Sequence, residues 1–475
     1  MLSLLPLAII SFAACYLLTP LVRNLFTALG VVDVPDTARK LHKRPVPRVG
    51  GIAIMGAYSL AFLALAVSPY GGAVHESLSS VWMLGPAIAI VFFTGLIDDI
   101  VNLRPWQKLI GHLAAAIWVW AAGVRVMGFS QINIEGWWTL PLTVLWLVFC
   151  TNSFNLIDGV DGLAAGAGLV AASTMLVAAI VQDNLPLALV TAPLAGCLLA
   201  FLRYNLSPAS IFLGDCGSLT IGFMLGCFGV IWTQKSATVL GMTAPLMALS
   251  LPLLDTSLAI VRRVIRLRPI FGADRAHIHH RLLDEGLTPR RVTFVLYGAC
   301  GIAALFSLLQ SVAYAEFRGL LVVLFCGAAW VAISRLKYME FAVARRVLFQ
   351  GIRRTLEQEL WLATFEQSLN AATTVEECWD EIRNASEQLG FSEVRLFVAG
   401  EFYQARFREL EPAKCWAMHI PLADAGYIHV TRDIERGIEP GAAGPLLETA
   451  RKTLDARFSG SQRPEVLASP QKHRV

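Results

Sequence analysis

Charge is scarce in this chain. Only 16% of its 475 residues are Asp, Glu, Lys or Arg, against 56% hydrophobic, where a soluble domain carries about a quarter charged residues. The scarcity is local: residues 336–475 hold 38 charged positions, and the 335 residues before them only 36. That division excludes a single soluble globular domain and a disordered chain. It implies a membrane-embedded body followed by a water-soluble tail. Net charge is small as well, +4, too little to argue for nucleic acid as a partner. The nine cysteines are scattered and include no C-x-x-C, which argues against a disulfide scaffold, a zinc knuckle and a redox pair. The first 22 residues lack a basic flank, and their apolar run is too long for a typical cleaved signal peptide. A retained first membrane helix is expected there.

Long apolar runs are what the chain has in abundance. A helix needs about 20 apolar residues to cross a bilayer. Eleven candidates appear, near 2–22, 50–67, 81–97, 106–124, 138–154, 163–181, 185–202, 211–232, 239–261, 292–314 and 319–334. The loops between them alternate in charge: one set carries 17 Lys and Arg, including Arg48, Arg104, Lys108 and Arg203, while the other carries only Arg125, Lys235 and Arg318. The excess of basic residues on cytoplasmic loops places the first set inside. The expected fold is an all-α polytopic membrane protein of about 11 transmembrane helices with a small cytoplasmic α+β C-terminal domain. The expected location is the inner (plasma) membrane, with the C-terminus cytoplasmic. Asp98, Asp99, Asp158, Asp161 and Asp215 fall at the inner ends of spans or in inner loops, and Asp255 is the one ionised residue within a span. A carboxylate there is costly and marks a functional candidate.

Four segments carry chemistry. In GLIDDIVNLRPWQKL (95–109), the adjacent Asp98 and Asp99 end an apolar run and Lys108 follows. Adjacent carboxylates repel unless a cation or a shared proton compensates them; alone, the pair reads equally as a solvated helix end. In NSFNLIDGVDGLAAG (152–166), Asn152, Asn155 and Asp158 recur every three residues and Asp161 continues the series. At a helix end that spacing makes one polar face, richer in oxygen ligands than a connecting loop needs. In NLSPASIFLGDCGSL (205–219), Asp215 lies between glycines where an apolar run begins. Carboxylate and amide oxygens are what Mg²⁺ takes, with waters and substrate phosphates as its other ligands. In RPIFGADRAHIHHRLLDEGLTPRR (268–291), His277, His279 and His280 lie among arginines, a combination suited to phosphate. A further basic loop, RKLHKRPVPRVGGIA (39–53), offers Arg48 or His42 to a phosphate. Together these groups, at the inner face of a multi-span body, suit phosphoryl transfer between a nucleotide donor and a lipid acceptor.

In this order the segments resemble the polyprenyl-phosphate N-acetylhexosamine-1-phosphate transferase family (glycosyl transferase family 4), over roughly residues 20–335. The His-x-His-His form of 277–280 is similar to the N-acetylglucosamine branch; the muramoyl-pentapeptide branch usually has three adjacent histidines. The resemblance implies attack of a polyprenyl (undecaprenyl) phosphate on the β-phosphorus of a UDP-amino sugar. UMP leaves, and the product starts a lipid-linked cell-surface polysaccharide. It also implies roles. Asp215 would be the principal ligand of Mg²⁺, or of Mn²⁺ in its place, with Asn155 beside it. Asp98 would engage or deprotonate the lipid phosphate, with Asp99 in support and Asp158 in the site without an assigned part. Phe212 would stack on uracil, with Asp161 and Asn205 holding the nucleoside. Lys108, His277, His279 and His280 would bind diphosphate or sugar, and Asn152 and Arg48 belong with the substrate contacts. One departure stands at Asn102, where some members carry a third acid.

The expected domains are a transferase body over 1–335, a helical linker over 336–370, a GAF-like α+β domain over 371–460 and a disordered tail over 461–475. In the tail, ECWDEIRNASEQLGF and GPLLETARKTLDARF read as helices, and EVRLFV, AMHIPL and GYIHV as strands. Such a domain admits a homodimer, a small effector or an assembly partner. The competing readings are a transporter or flippase for lipid-linked or anionic substrates, which tends to place its site near the bilayer midplane, and a membrane sensor.

Overall fold

Inside hydrocarbon a backbone amide has no water to pair with, so an apolar chain satisfies its amides within helices. The computed structural model describes residues 4–34, 45–68, 82–126, 128–129, 132–133, 136–234, 242–266, 277–336, 359–408, 415–433 and 440–458. The chain divides into two compact units, Met1–Glu340 and Phe341–Val475. In the first, the helices are α1 (Leu4–Ala28), α2 (Gly50–Ala66), α3 (Gly85–Val101), α4 (Pro105–Ala121), α5 (Thr139–Ile157), α6 (Leu163–Val181), α7 (Leu185–Asn205), α8 (Asp215–Gln234), α9 (Thr243–Ala248), α10 (Ser250–Ile265), α11 (Ile278–Asp284), α12 (Pro289–Val312) and α13 (Ala315–Arg335). Two short hairpins accompany them, β1 (Val32–Asp33) with β2 (Val46–Pro47) and β3 (Gly128–Phe129) with β4 (Ile132–Asn133).

Seven of these helices, α1, α5, α6, α7, α8, α12 and α13, are long and apolar enough to cross a membrane. The protein is a multi-pass membrane protein. The other four segments read as spans are helical but shorter or interrupted. Helices α2, α3 and α4 have 17 residues each. The segment over 239–261 breaks at Leu249, between α9 and α10. Pro252 has no N–H for the carbonyl four residues earlier, which ends the hydrogen-bond ladder there.

Helix α8 is the centre of the unit. It is buried over nearly its whole length and packs against α2, α3, α5 and α6, while α1 packs on α2 and α7. The two ends of the helices differ in chemistry. Trp118 and Trp120 lie near the end of α4, and Trp137 and Trp138 precede α5. Trp120 Nε1 donates to Thr139 Oγ1 at 2.8 Å, and the Arg125 guanidinium lies 4.5 Å from the Trp120 ring centroid. Tryptophans favour the membrane–water boundary. Lys108 lies near the opposite end of α4 and Asp158 at the opposite end of α5.

The second unit is an α+β fold. Its strands β5 (Glu393–Val398), β6 (Glu401–Arg406), β7 (Cys415–Pro421) and β8 (Tyr427–Asp433) form an antiparallel sheet in the order β6-β5-β8-β7. Alternate residues Val394, Leu396, Val398, Ile428 and Val430 are buried with Leu369 of a helix over 359–371 (α14), Ile382 of α15 (Val375–Gln388) and Leu446, Leu447 and Leu454 of α16 (Pro440–Phe458). Thr374 and Glu377 close a reciprocal cap at the start of α15, which satisfies amides that the first turn leaves unpaired. Strand β6 is absent from the sequence reading. As an edge strand its residues are exposed or half-buried, so no apolar alternation announces it. Of the expected linker over 336–370, residues 337–358 lie outside the described residues, as does the expected tail over 461–475.

Candidate active site

The site begins where α3 ends. Asn102 adopts the left-handed conformation (φ 55°) as the C-cap, and its N–H returns to Asp98 O. Asparagine tolerates that conformation better than most residues. The reversal lets Leu103 N donate to Asp98 Oδ1 at 2.6 Å. It also leads into α4, whose Lys108 is one turn inside. Lys108 Nζ lies 2.6 Å from Asp98 Oδ2 and 2.7 Å from Asp215 Oδ2, so the ammonium bridges two carboxylates from different helices. Asn155 Nδ2 donates to Asp215 Oδ1 at 3.1 Å and to Ser218 Oγ at 3.0 Å. Arg48 Nη2 stands 3.9 Å from both Asp99 Oδ1 and Asp215 Oδ1.

Asp99 has a different task from its neighbour. Its side chain is fully buried, and its two oxygens accept the amides of Asp215 at 2.8 Å and Cys216 at 2.9 Å. It thereby satisfies free amides at the start of α8 and fixes the backbone from which Asp215 projects. Gly214 (φ +74°) makes the turn into that helix, and a Cβ there would fall 2.0 Å from Arg48 O.

Three further predicted residues frame a loop. Asp161 Oδ2 accepts Ala209 N at 3.0 Å, and Asn205 Nδ2 donates to Ile211 O at 2.9 Å. Phe212 follows, with its N–H on Pro47 O and its carbonyl accepting Gly50 N. The loop between α7 and α8 is thus stitched to the segment carrying Arg48. Asp158, at the end of α5, is half-buried. Burial, then the negative charges of Asp215 and Asp99, hold its carboxyl well above the usual range, with Arg48 opposing. Asn152 donates to Val148 O at 2.7 Å and faces His112.

The histidines form a second group. His277 Nδ1 lies 3.0 Å from Asp255 Oδ2. The His277 and His279 rings are parallel, with centroids 5.8 Å apart, and His280 lies 4.3 Å from His279. Burial, then the neighbouring His280, push His279 down to about 4. This group meets the loop after α5: a Cβ at Gly159 would fall 2.6 Å from His279 Nε2.

Arg48, Asp98, Asp99, Lys108, Asn155 and Asp215 therefore share one cluster. Asp158 is within its electrostatic reach, and Asp161, Asn205 and Phe212 build an adjoining loop. Three participants escaped the sequence reading. Ser218 lies one turn after Asp215, a spacing that could have found it. Asp33, 3.9 Å from Arg48 Nη1, sits in VVDVPD with no pattern to mark it. His112, buried one turn beyond Lys108, is a single polar residue in an apolar run, with no pattern to mark it.

The family model "Glycosyl transferase family 4" matches residues 81–233, which include Asp98, Lys108, Asn155 and Asp215. A probable undecaprenyl-phosphate N-acetylglucosaminyl 1-phosphate transferase of Bacillus subtilis is 35% identical over 294 residues, covering 61% of this chain and 80% of the relative. A decaprenyl-phosphate N-acetylglucosaminephosphotransferase of Mycobacterium tuberculosis is 34% identical over 318 residues, covering 61% and 78%. A phospho-N-acetylmuramoyl-pentapeptide-transferase of Listeria monocytogenes is 27% identical over 334 residues, covering 62% and 96%. With its carboxylates and lysine gathered at one end of an apolar helical body, the chain belongs to the polyprenyl-phosphate N-acetylhexosamine-1-phosphate transferase family, glycosyl transferase family 4.

Proposed function

We propose that the protein transfers a sugar 1-phosphate, N-acetylglucosamine 1-phosphate first among candidates, from a UDP-sugar to polyprenyl phosphate. The reaction takes place at the cytoplasmic face of the plasma membrane and starts a lipid-linked polysaccharide. One observation carries this reading: Lys108 bridging Asp98 and Asp215, with Asn155 on the second oxygen of Asp215. Charge, not a preset nucleophile, is what this arrangement supplies, and phosphoryl transfer depends chiefly on positioning and charge neutralisation. An oxygen of the lipid phosphate forms a bond to the β-phosphorus as the bond to UMP breaks. A phosphate monoester is largely ionised near neutral pH, so no strong base is required.

The oxygen donors fit a hard divalent cation. Among the described residues no three His, Cys, Asp or Glu side chains form a cage of their own, which suits Mg²⁺, an ion that keeps waters and phosphates among its ligands. Asp215 and Asn155 would hold it, with Mn²⁺ as a substitute. Bound there, it neutralises diphosphate charge. The chain's own cations add to this: Lys108 from α4 and Arg48 from the segment before α2 face the carboxylates. Phe212 would stack on uracil, on a loop that Asp161 and Asn205 brace.

We further propose a single displacement. Both oxygens of Asp98 are engaged, one by Leu103 N and one by Lys108, which disfavours this carboxylate as a covalent carrier. A phospho-Asp98 enzyme trapped from labelled donor would overturn that step. The whole reading is tested with purified full-length protein, polyprenyl phosphate, Mg²⁺ and a panel of UDP-sugars. UMP release that needs both lipid and divalent cation is expected, greatest with UDP-N-acetylglucosamine. No release with any N-acetylated UDP-sugar rejects it.

A further inference from the structure

A carboxylate buried inside an apolar helix is costly unless it is fully paired. Asp255 is 2% exposed, the sixth residue of α10, and both of its oxygens serve one segment. Oδ1 accepts Ile278 N at 2.8 Å, and Oδ2 lies 3.0 Å from His277 Nδ1. One side chain therefore sets both the backbone at the start of α11 and the plane of the first imidazole. A carboxylate on one ring nitrogen also decides which tautomer is present: the Nδ1 proton points at Asp255, and Nε2 is turned away from it.

The second imidazole follows from the first. His279 stacks parallel to His277, their planes 3° apart. It is 2% exposed, and its Nε2 has no hydrogen-bond partner among the described residues. That nitrogen faces Gly159, where a Cβ would fall only 2.6 Å from it. Gly159 follows Asp158, at the end of the helix that carries Asn155. A buried polar atom left unpaired is costly, and this one borders the candidate active site. Its ring is neutral near neutral pH, because burial holds it down to about 4, so it reads a ligand by hydrogen bonding and not by charge.

We propose that Asp255 is a positioning residue of the transfer reaction: by holding His277 Nδ1 and the Ile278 amide it fixes the imidazole pair, so that His279 Nε2 meets a polar oxygen of the sugar nucleotide beside the Asp158–Gly159 turn. This rests on the reaction proposed above. The residue touches no reacting atom and acts through His277.

Asp255→Asn is the discriminating variant. The amide keeps an oxygen for Ile278 N but presents NH₂ to Nδ1, which opposes the tautomer the carboxylate selects. In full-length protein, Asp255→Asn lowers kcat/KM for the sugar nucleotide about 10–100-fold, as removal of an orienting partner does elsewhere. KM for polyprenyl phosphate stays within about twofold, since the lipid phosphate is assigned to the Asp98 side of the site. In a His277→Ala background the same substitution costs less than about twofold, because its route of action is already gone. Losses that multiply in the double variant, an Asn variant with normal turnover, or equal effects on both substrates each overturn the proposal.

A second readout needs no turnover, so it separates this inference from the reaction on which it rests. Carbethoxylation of His277 at Nε2, followed by peptide mass spectrometry, proceeds several-fold more slowly in Asp255→Asn than in the unsubstituted protein, because an amide NH₂ paired with Nδ1 leaves the proton on Nε2. Equal rates overturn the pairing even if no UDP-sugar is turned over, and UMP release by the unsubstituted protein judges the reaction by itself.

Discussion

Asp98 and Asp99 are neighbours with opposite orientations, because successive residues on a helix turn by about 100°. Asp98 meets Lys108, while Asp99 holds the amides that open α8. Their amide variants should therefore fail differently. Asp98→Asn leaves the melting temperature of the detergent-solubilised protein nearly unchanged and sharply lowers UMP release. Asp99→Asn trades a two-handed acceptor for a single oxygen at a fully buried position, at a cost of about 1–3 kcal/mol. It is read as a lower melting temperature accompanied by loss of activity. Asp215→Ala should abolish turnover without loss of folded protein; near-normal activity would reject its place in the site. His279 yields a pH prediction. Its folded value of about 4 lies below the unfolded value of about 6.5. Between the two, the unfolded chain binds more protons, so stability rises with pH across that window. The contribution is complete above about pH 6.5 and is lost as pH falls toward the folded value. Melting curves from pH 7 to pH 4 should show a steeper decline in the unsubstituted protein than in His279→Gln; parallel curves would contradict a buried neutral imidazole.

At the scale of elements, the start of α8 decides whether the site exists. Gly214 turns the chain with a positive φ, and its missing side chain admits the Arg48 carbonyl. Gly214→Ala adds both a strained conformation and a backbone clash, and it should displace Asp215 and Arg48 together. Activity should fall by orders of magnitude, with reduced yield of folded protein; a well-folded variant with more than about a tenth of normal turnover would contradict this account. The turn also shows why some of the site was legible in the sequence. Asp98, Asn155 and Asp215 each close or open an apolar run, and a polar oxygen at such a boundary stands out. Asp161 and Asn205 stood out equally, yet their side chains meet backbone groups of the 205–211 loop, a partnership that no spacing reveals. Span count was less legible for a related reason. Hydropathy registers α2, α3 and α4 as apolar but cannot show where a cap such as Asn102 stops the helix, nor that Pro252 splits a continuous apolar run. In the tail, edge strand β6 lacked the buried alternation that gave away β5 and β8.

For the whole molecule, the division of charge in the sequence corresponds to two units with separate interiors. The first keeps its carboxylates at helix ends, where α3, α5 and α8 converge. A carrier for lipid-linked substrates would instead be expected to place its polar site midway along broken helices. Asp255 lies inside α10, away from these ends, and it is fully occupied by His277 and Ile278. The second unit has a core of its own, in which β5 and β8 are covered by α14, α15 and α16. Glu393 is buried on the other sheet face and accepts hydrogen bonds from Arg395, Gln404 and Arg406. Burial pushes its carboxyl up, but these donors more than offset that and hold it below the usual range. The Asp98–Lys108–Asp215 cluster is built from residues of the first unit. Removing Phe341–Val475 should therefore leave UMP release per folded molecule within about an order of magnitude of the full chain, since the cluster's side chains all belong to the first unit. Size-exclusion profiles and melting curves of both proteins establish that the comparison is between folded states. Loss of turnover from a truncated protein that still melts cooperatively would show that the tail belongs to the catalytic apparatus. Retained turnover with an altered dependence on added metabolites would assign it to regulation.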